Sequence, residues 1–178
     1  MTTAKFLLIV VLGAAIGASA CSASGPVTTV KPEKRESLPT TPAELPNEAF
    51  KAQITFVSPP TKLRAGEKIV VQVKIKNAST VQWWARGAPV NTRPDNKFYV
   101  AAGNRWLKAD GSKLTDMDGR YGLAKDLKPG EEEEVPLSIT APKDPGDYIL
   151  EIDVVQEGVT WFSDKGSTTA RTNLSVVR

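Results

Sequence analysis

Apolar and polar residues alternate with a period of two over much of the chain after residue 50, which is typical of half-buried β-strands. The clearest case is the run from Lys68 to Asn77, where apolar side chains occupy alternate positions: Ile69, Val71, Val73 and Ile75. The same alternation recurs around residues 135–140, 148–155 and 173–176, and a further strand is predicted over 51–58. No amphipathic run of helical length follows residue 50, so we predict an all-β domain.

Short turn motifs separate these runs. Asp110-Gly111 and Glu157-Gly158 are typical of hairpin tips, and Lys128-Pro129-Gly130-Glu131 has Pro and Gly where a type II turn requires them. Seven or eight short strands with this spacing predict one antiparallel β-sandwich, over residues 50–178. Tyr148 begins a strand just after a turn, so we expect a tyrosine corner, in which the hydroxyl bonds to the backbone of the preceding loop.

Composition excludes most catalytic chemistry. The chain has 178 residues, with 23 Lys and Arg against 20 Asp and Glu, a formal net charge of +3. With no histidine and a single cysteine, it cannot form a Ser-His-Asp triad, a Cys-His pair or a His/Cys zinc site. The small basic excess is not that of a nucleic-acid-binding protein. We therefore expect no enzyme activity, no catalytic residue, no metal, no cofactor and no nucleic-acid partner.

The first twenty residues are typical of a signal peptide. Lys5 supplies a positive charge, Phe6 to Ile16 are apolar, and residues 17–20 are small. The stretch from Phe6 to Ala20 is shorter than the roughly 18–20 residues that span a bilayer. An uncleaved membrane anchor is the alternative interpretation of this segment.

The sequence Ala18-Ser19-Ala20-Cys21 resembles the signal box of bacterial lipoproteins. The resemblance implies cleavage before Cys21 and acylation of this residue with chains such as palmitate, although Ala18 departs from the commoner Leu. It also implies a location in the bacterial cell envelope, at the outer membrane or periplasmic face if the cell is Gram-negative. A secreted protein with a free thiol at Cys21 is the alternative.

Residues 21–49 are predicted to form a flexible tether. They contain five prolines and several threonines, and their charged cluster at 31–36 has no apolar face. Such a composition cannot bury enough apolar surface to offset the entropy lost on ordering.

The stretch from Asp126 to Gly166 resembles Ig-like β-sandwich modules of bacterial envelope proteins, and related modules are appended to some glycosyltransferases. The segments NASTVQWWARG, from Asn77, and NRWLKADG, from Asn104, are also similar to segments of this family. The resemblance implies an Ig-like fold over roughly residues 69–177. It does not imply one function, because these modules are accessory.

Aromatic residues give the best indication of a binding surface. Trp83 and Trp84 are adjacent on an extended segment, as are Trp161 and Phe162, so one member of each pair should face outward. We expect Trp83, Trp106, Tyr148 and Trp161 to be structural. The predicted binding surface comprises Trp84, Arg86, Arg93, Asn104, Phe162 and Asp164. The alternative is that bends or a neighbouring loop cover the second member of each pair.

These features together predict a lipid-anchored, non-catalytic module of the bacterial envelope that binds a protein or a glycan. One alternative is an accessory subunit of an envelope glycosyltransferase or another polysaccharide-handling enzyme. A more remote alternative is a hydrolase that uses carboxylates such as Glu151 and Asp153, which we expect on the outward face of one strand and paired with Arg105 or Lys108.

Overall fold

The computed structural model describes residues 41–87, 96–115 and 118–178. The predicted signal peptide, Cys21 and most of the predicted tether lie outside these residues. In the described part, nine strands and two short 3₁₀ turns are formed, and no helix is long and apolar enough to cross a bilayer. The strands are β1 (Ala52–Phe56), β2 (Lys62–Arg64), β3 (Lys68–Asn77), β4 (Val100–Lys108), β5 (Arg120–Gly122), β6 (Glu132–Thr140), β7 (Gly146–Gln156), β8 (Thr160–Trp161) and β9 (Ala170–Val177).

The strands form two sheets. The smaller sheet has the order β1-β3-β6, and the larger has the order β2-β9-β7-β4-β5, with β8 paired to β7. All these pairs are antiparallel except β2 and β9, which run parallel. This arrangement confirms the predicted all-β sandwich.

The strand order is that of an immunoglobulin-like domain. β1, β3 and β6 correspond to strands A, B and E, and β4, β7 and β9 to strands C, F and G. Trp106 lies on β4 and is 1% exposed, at the place of the buried tryptophan of strand C. The Tyr148 hydroxyl donates to the Asp144 carbonyl at 2.9 Å, which is the contact that defines a tyrosine corner.

The alternating side chains determine the core. Val71, Val73 and Ile75 of the smaller sheet face Leu150, Ile152 and Val154 of the larger sheet, and all six are buried. The turn before β6 is held by a hydrogen bond from the Glu131 N–H to the Lys128 carbonyl, with Gly130 at φ 83°, as a type II turn requires.

Residues 43–49, which we predicted to belong to the tether, pack against the sandwich. Leu45, Ala49 and Phe50 are buried, and the buried amide of Gln156 accepts from the Leu45 N–H and donates to the Ala43 carbonyl. Residues 43–49 therefore belong to the sandwich. Their apolar side chains are too few and too irregularly spaced to show a period in the sequence, which explains the error.

Candidate binding site

Trp83 and Trp84 face opposite sides of the loop that leads from β3 to β4. Trp83 is fully buried, its indole N–H donates to the Ala49 carbonyl at 3.0 Å, and its backbone pairs with Leu127. Trp84 is partly exposed. Arg86 is exposed, with its guanidinium carbon 5.9 Å from the centre of the Tyr99 ring. This loop therefore places one aromatic and one cation of the predicted surface near solvent.

The prediction for the second pair is wrong, because Phe162 is buried and Trp161 lies partly exposed. Phe162 is 0% exposed and contacts the rings of Phe50 and Trp83 edge-on, each at 5.0 Å. The register of the β7–β8 hairpin decides this outcome. Trp161 pairs with Val155, whose side chain points away from the core, so Trp161 covers the outer face of the larger sheet.

Asn104 was also predicted at the surface and is instead fully buried. It lies on the inward face of β4, where its side-chain oxygen accepts from the Gly119 N–H at 2.6 Å and holds the segment before β5. Asp164 is exposed and accepts from the Thr160 hydroxyl at 3.2 Å. Arg93 lies outside the described residues. The six predicted residues thus do not form one surface.

Charged side chains gather instead around Trp161 on the outer face of the larger sheet. We call this group the arginine–tryptophan cluster: Arg105, Arg120, Glu151, Asp153, Glu157 and Trp161. The guanidinium carbons of Arg105 and Arg120 lie 4.2 and 4.5 Å from the centre of the Trp161 ring, within cation–π range. Arg105 lies 3.5 Å from Glu151 and 3.6 Å from Asp153, and Arg120 lies 3.2 Å from Glu157.

The cluster buries side chains that the strand pattern places on the solvent side. Glu151 is 4% exposed and Asp153 is 0% exposed, although both point away from the core. Arg105 does lie beside both carboxylates, as the sequence predicted. The sequence did not reveal their burial, because the covering side chains come from the β8 segment, some ten residues farther along the chain.

Burial and hydrogen bonding give the acids of the cluster different pKa values. Burial raises the pKa of Asp153, and hydrogen bonds from Ser163 and the Val154 N–H offset this only in part. Burial likewise raises the pKa of Glu157, against the charge of Arg120. Burial acts in the same direction on Glu151, but hydrogen bonds from Arg171 and Thr169 outweigh it and hold the pKa of this carboxyl below its usual value.

A cleft of about 510 Å³ opens beside the cluster, and we call it the polar cleft. Its charged lining residues are Arg105, Glu151 and Arg171. Its other described lining residues all carry hydroxyl groups: Ser163, Ser167, Thr168 and Thr169. The only sequence signals for this site are the serine and threonine run at 167–169 and the acids at alternate positions of β7, and both are common on exposed strands.

Gly103 provides a test of how tightly Trp161 packs. A Cβ atom at this position would lie 2.8 Å from Cη2 of Trp161 and 3.3 Å from the Gly119 carbonyl oxygen. We expect Gly103→Ala to displace the indole and to lower the free energy of unfolding by about 1–3 kcal/mol, as overpacking does. Urea denaturation measures the change, and tryptophan fluorescence reports the displacement.

Gly146→Ala is the matched control for this test. A Cβ atom at residue 146 would meet Tyr148 at 3.5 Å, an ordinary van der Waals contact. Its free energy of unfolding should change by less than about 1 kcal/mol. Equal effects of the two substitutions would show that Trp161 is not packed against Gly103.

The raised pKa of Asp153 predicts a pH-dependent stability. The native state then binds a proton more tightly than the unfolded state, so this group lowers stability as the pH rises above 3.8 and through the raised pKa. We expect Asp153→Asn to remove this loss, so that the free energy of unfolding of the variant increases relative to wild type as the pH rises from about 4 through the raised pKa of Asp153. Denaturant unfolding at stepped pH values measures the difference.

The control for the pH experiment is Asp144→Asn, because Asp144 is exposed. Its free energy of unfolding should differ from that of wild type by about 0.5 kcal/mol or less, as is usual for a surface substitution. The lowered pKa of Glu151 works in the opposite direction, since its stabilising contribution is present above 4.5 and is lost as the pH falls through the native value. A difference between Asp153→Asn and wild type that does not grow with pH would contradict the prediction.

No family model matches the chain, and no curated protein does. Among solved structures, the CARDB domain of a Pyrococcus furiosus protein, in complex with di-metal ions, is similar at 15% identity and a TM-score of 0.41, over 71% of this chain and 86% of that one. A β-glucosidase from Listeria innocua in complex with glucose is similar at 14% identity and a TM-score of 0.41, over 72% of this chain and 16% of that one. AvmM, which catalyses macrocyclization in alchivemycin A biosynthesis, is similar at 7% identity and a TM-score of 0.39, over 72% of this chain and 90% of that one. These likenesses carry no argument about function.

Proposed function

We propose that this protein is a lipid-anchored component of the bacterial envelope that presents a non-catalytic binding module. The proposal for the anchor depends on the sequence alone: an apolar segment, a run of small residues and the single cysteine of the chain at position 21. Two or three acyl chains are sufficient for stable membrane attachment. The chain would thus display its sandwich close to a membrane.

The polar cleft carries the proposal of binding. Its side chains are held in place by one another before any ligand arrives: Oε1 of Glu151 accepts from Nε of Arg171 at 2.8 Å and from the Thr169 hydroxyl at 2.9 Å. Preorganised polar groups lower the cost of ordering side chains on binding. A cleft of this volume also falls in the range of known ligand sites.

The same geometry argues against hydrolysis. A glycosidase needs two carboxyl groups that flank the substrate, one of them an acid whose pKa is raised. Asp153 has the raised pKa but is 0% exposed, beneath Arg105 and Ser163. Glu151 lines the cleft, but its pKa is lowered and its oxygens face Arg105, Thr169 and Arg171. We therefore propose that the module does not act as an enzyme.

A second candidate role is that of an accessory subunit of an envelope glycosyltransferase. The observation that favours it is the resemblance of residues 126–166 to modules that are appended to such enzymes. Copurification of a glycosyltransferase with the chain from detergent-solubilised envelopes would support this role, and its loss in a variant blocked at the polar cleft would locate the contact.

The lipid anchor gives a direct prediction. The protein extracted from membranes should lack residues 1–20 and carry added acyl mass on Cys21, as measured by intact mass spectrometry. The Cys21→Ser variant should be absent from the membrane fraction. The Ser24→Ala variant, changed three residues farther on, should remain in that fraction. Recovery of a soluble wild-type chain with an unmodified Cys21 would contradict the proposal.

A further inference from the structure

The charges that line the polar cleft or lie directly beneath it balance each other. Arg105 lies 3.5 Å from Glu151 and 3.6 Å from Asp153, and Nη2 of Arg171 lies 2.7 Å from Glu151. Two guanidinium groups thus contact one carboxylate in the lining, Glu151, and a second one buried beneath it, Asp153. A phosphate or carboxylate ligand would have to compete with these acids for both arginines, so the site does not favour an anion. A free cation would be repelled by the two arginines, so the site does not favour a cation either.

The lining of the cleft supplies both hydrogen-bond donors and acceptors. The Arg171 side chain is 57% exposed, and Glu151 fixes its orientation, so its outward N–H groups are presented to the cleft. Hydroxyl groups can donate and accept at once, and four of them line the cleft. Three have defined partners in the protein, since Ser163 donates to Asp153, Thr169 to Glu151 and Ser167 to the Ala52 carbonyl. Such a lining matches a ligand that presents hydroxyl groups in several directions.

The cleft has no apolar anchor point among its described lining residues. Protein interfaces obtain most of their binding energy from aromatic or aliphatic side chains buried in well-packed pockets. Sites for drug-like small molecules are also lined mostly by apolar and aromatic side chains. The chemistry of the cleft therefore matches a polar ligand without net charge better than it matches a protein side chain.

From these observations we propose that the polar cleft binds a neutral saccharide, with Arg171 donating to sugar oxygens and the threonine hydroxyls completing the contacts. The inference deepens the proposed binding function and rests on it. Thr168 is exposed at the cleft, so a larger side chain there blocks the site without entering the core. Thr55, on the exposed face of β1 in the other sheet, provides the same substitution away from the cleft.

The experiment titrates the full chain, in a detergent without a sugar head group, with a panel of neutral oligosaccharides of glucose, galactose, mannose and N-acetylglucosamine in both linkage configurations. NMR follows the Arg171 Nε–H and the Trp161 indole N–H. We expect saturable shifts of these signals with at least one neutral sugar. Thr168→Tyr and Arg171→Gln should weaken binding by about tenfold or more, and Thr55→Tyr by less than about twofold.

Three outcomes would overturn this inference: no shift with any neutral sugar, binding of anionic sugars only, or binding that Thr168→Tyr leaves unchanged. If an envelope protein is captured instead, and its capture is lost in Thr168→Tyr, the saccharide is wrong while the proposed binding function stands. An unmodified Cys21 in membrane extracts would contradict the proposed anchor. It would not change the conclusion about saccharide binding, which the titration tests independently.

Discussion

Phe162→Ala is expected to lower the free energy of unfolding by about 3–5 kcal/mol, the range of large aromatic truncations in cores. Phe162 is 0% exposed and packs edge-on against Phe50 and Trp83. Truncation therefore leaves a cavity between residues 43–50, the loop after β3 and the β8 hairpin. Chemical denaturation followed by far-UV circular dichroism measures the loss.

The adjacent residue gives the control. Trp161 lies partly exposed on the opposite face, so Trp161→Ala should cost only about 1–2 kcal/mol, from lost contact with Arg105 and Arg120. If Trp161→Ala proved as destabilising as Phe162→Ala, the orientation of the hairpin described above would be wrong.

Trp106→Ala has the second large expected effect, again about 3–5 kcal/mol. The indole is 1% exposed on β4 and meets the Tyr148 ring edge-on at 6.4 Å. Domains of this size have about 5–15 kcal/mol of stability, so the variant should melt at a much lower temperature or fail to fold. Thermal unfolding of the purified variant measures this effect.

Leu114→Ala is the matched control for Trp106→Ala. Leu114 is 41% exposed, and its backbone N–H donates to the Trp106 carbonyl, so the variant keeps that hydrogen bond and loses only surface contact. Its stability should change by about 0.5 kcal/mol or less. A mild effect of Trp106→Ala, close to that of Leu114→Ala, would contradict the placement of Trp106 in the core.

The fold could be predicted from the sequence because the long strands carry a clear local signal. The run from Lys68 to Asn77 was predicted as a strand and forms β3 with those bounds, since its core-facing and solvent-facing positions alternate without interruption. The type II turn at Gly130 and the contact of Tyr148 with Asp144 have equally local causes. Such features need only residues that are close in the chain.

The candidate site could not be predicted, because it depends on contacts between distant residues. Alternation showed that Trp161 and Phe162 point to opposite sides, but only the pairing of Trp161 with Val155 determines which one is buried. Asn104 was predicted from the sequence to be a polar surface residue. It can be buried because its side-chain oxygen accepts a hydrogen bond from the Gly119 N–H, fifteen residues away. The burial of Glu151 and Asp153 likewise depends on contacts with residues that are distant in the chain.

The contacts of residues 43–50 with the sandwich determine how the domain resists a pulling force on the chain. Tension that arrives along the chain from residue 42 acts first on the hydrogen bonds of Ala43 and Leu45 to Gln156, at the end of β7, which lies between β9 and β4. The next contact is that of Phe50 with Phe162. These contacts must break before the force reaches β1 and begins to peel this edge strand from β3. A pull on the chain from residue 42 is thus carried by an inner strand of the larger sheet.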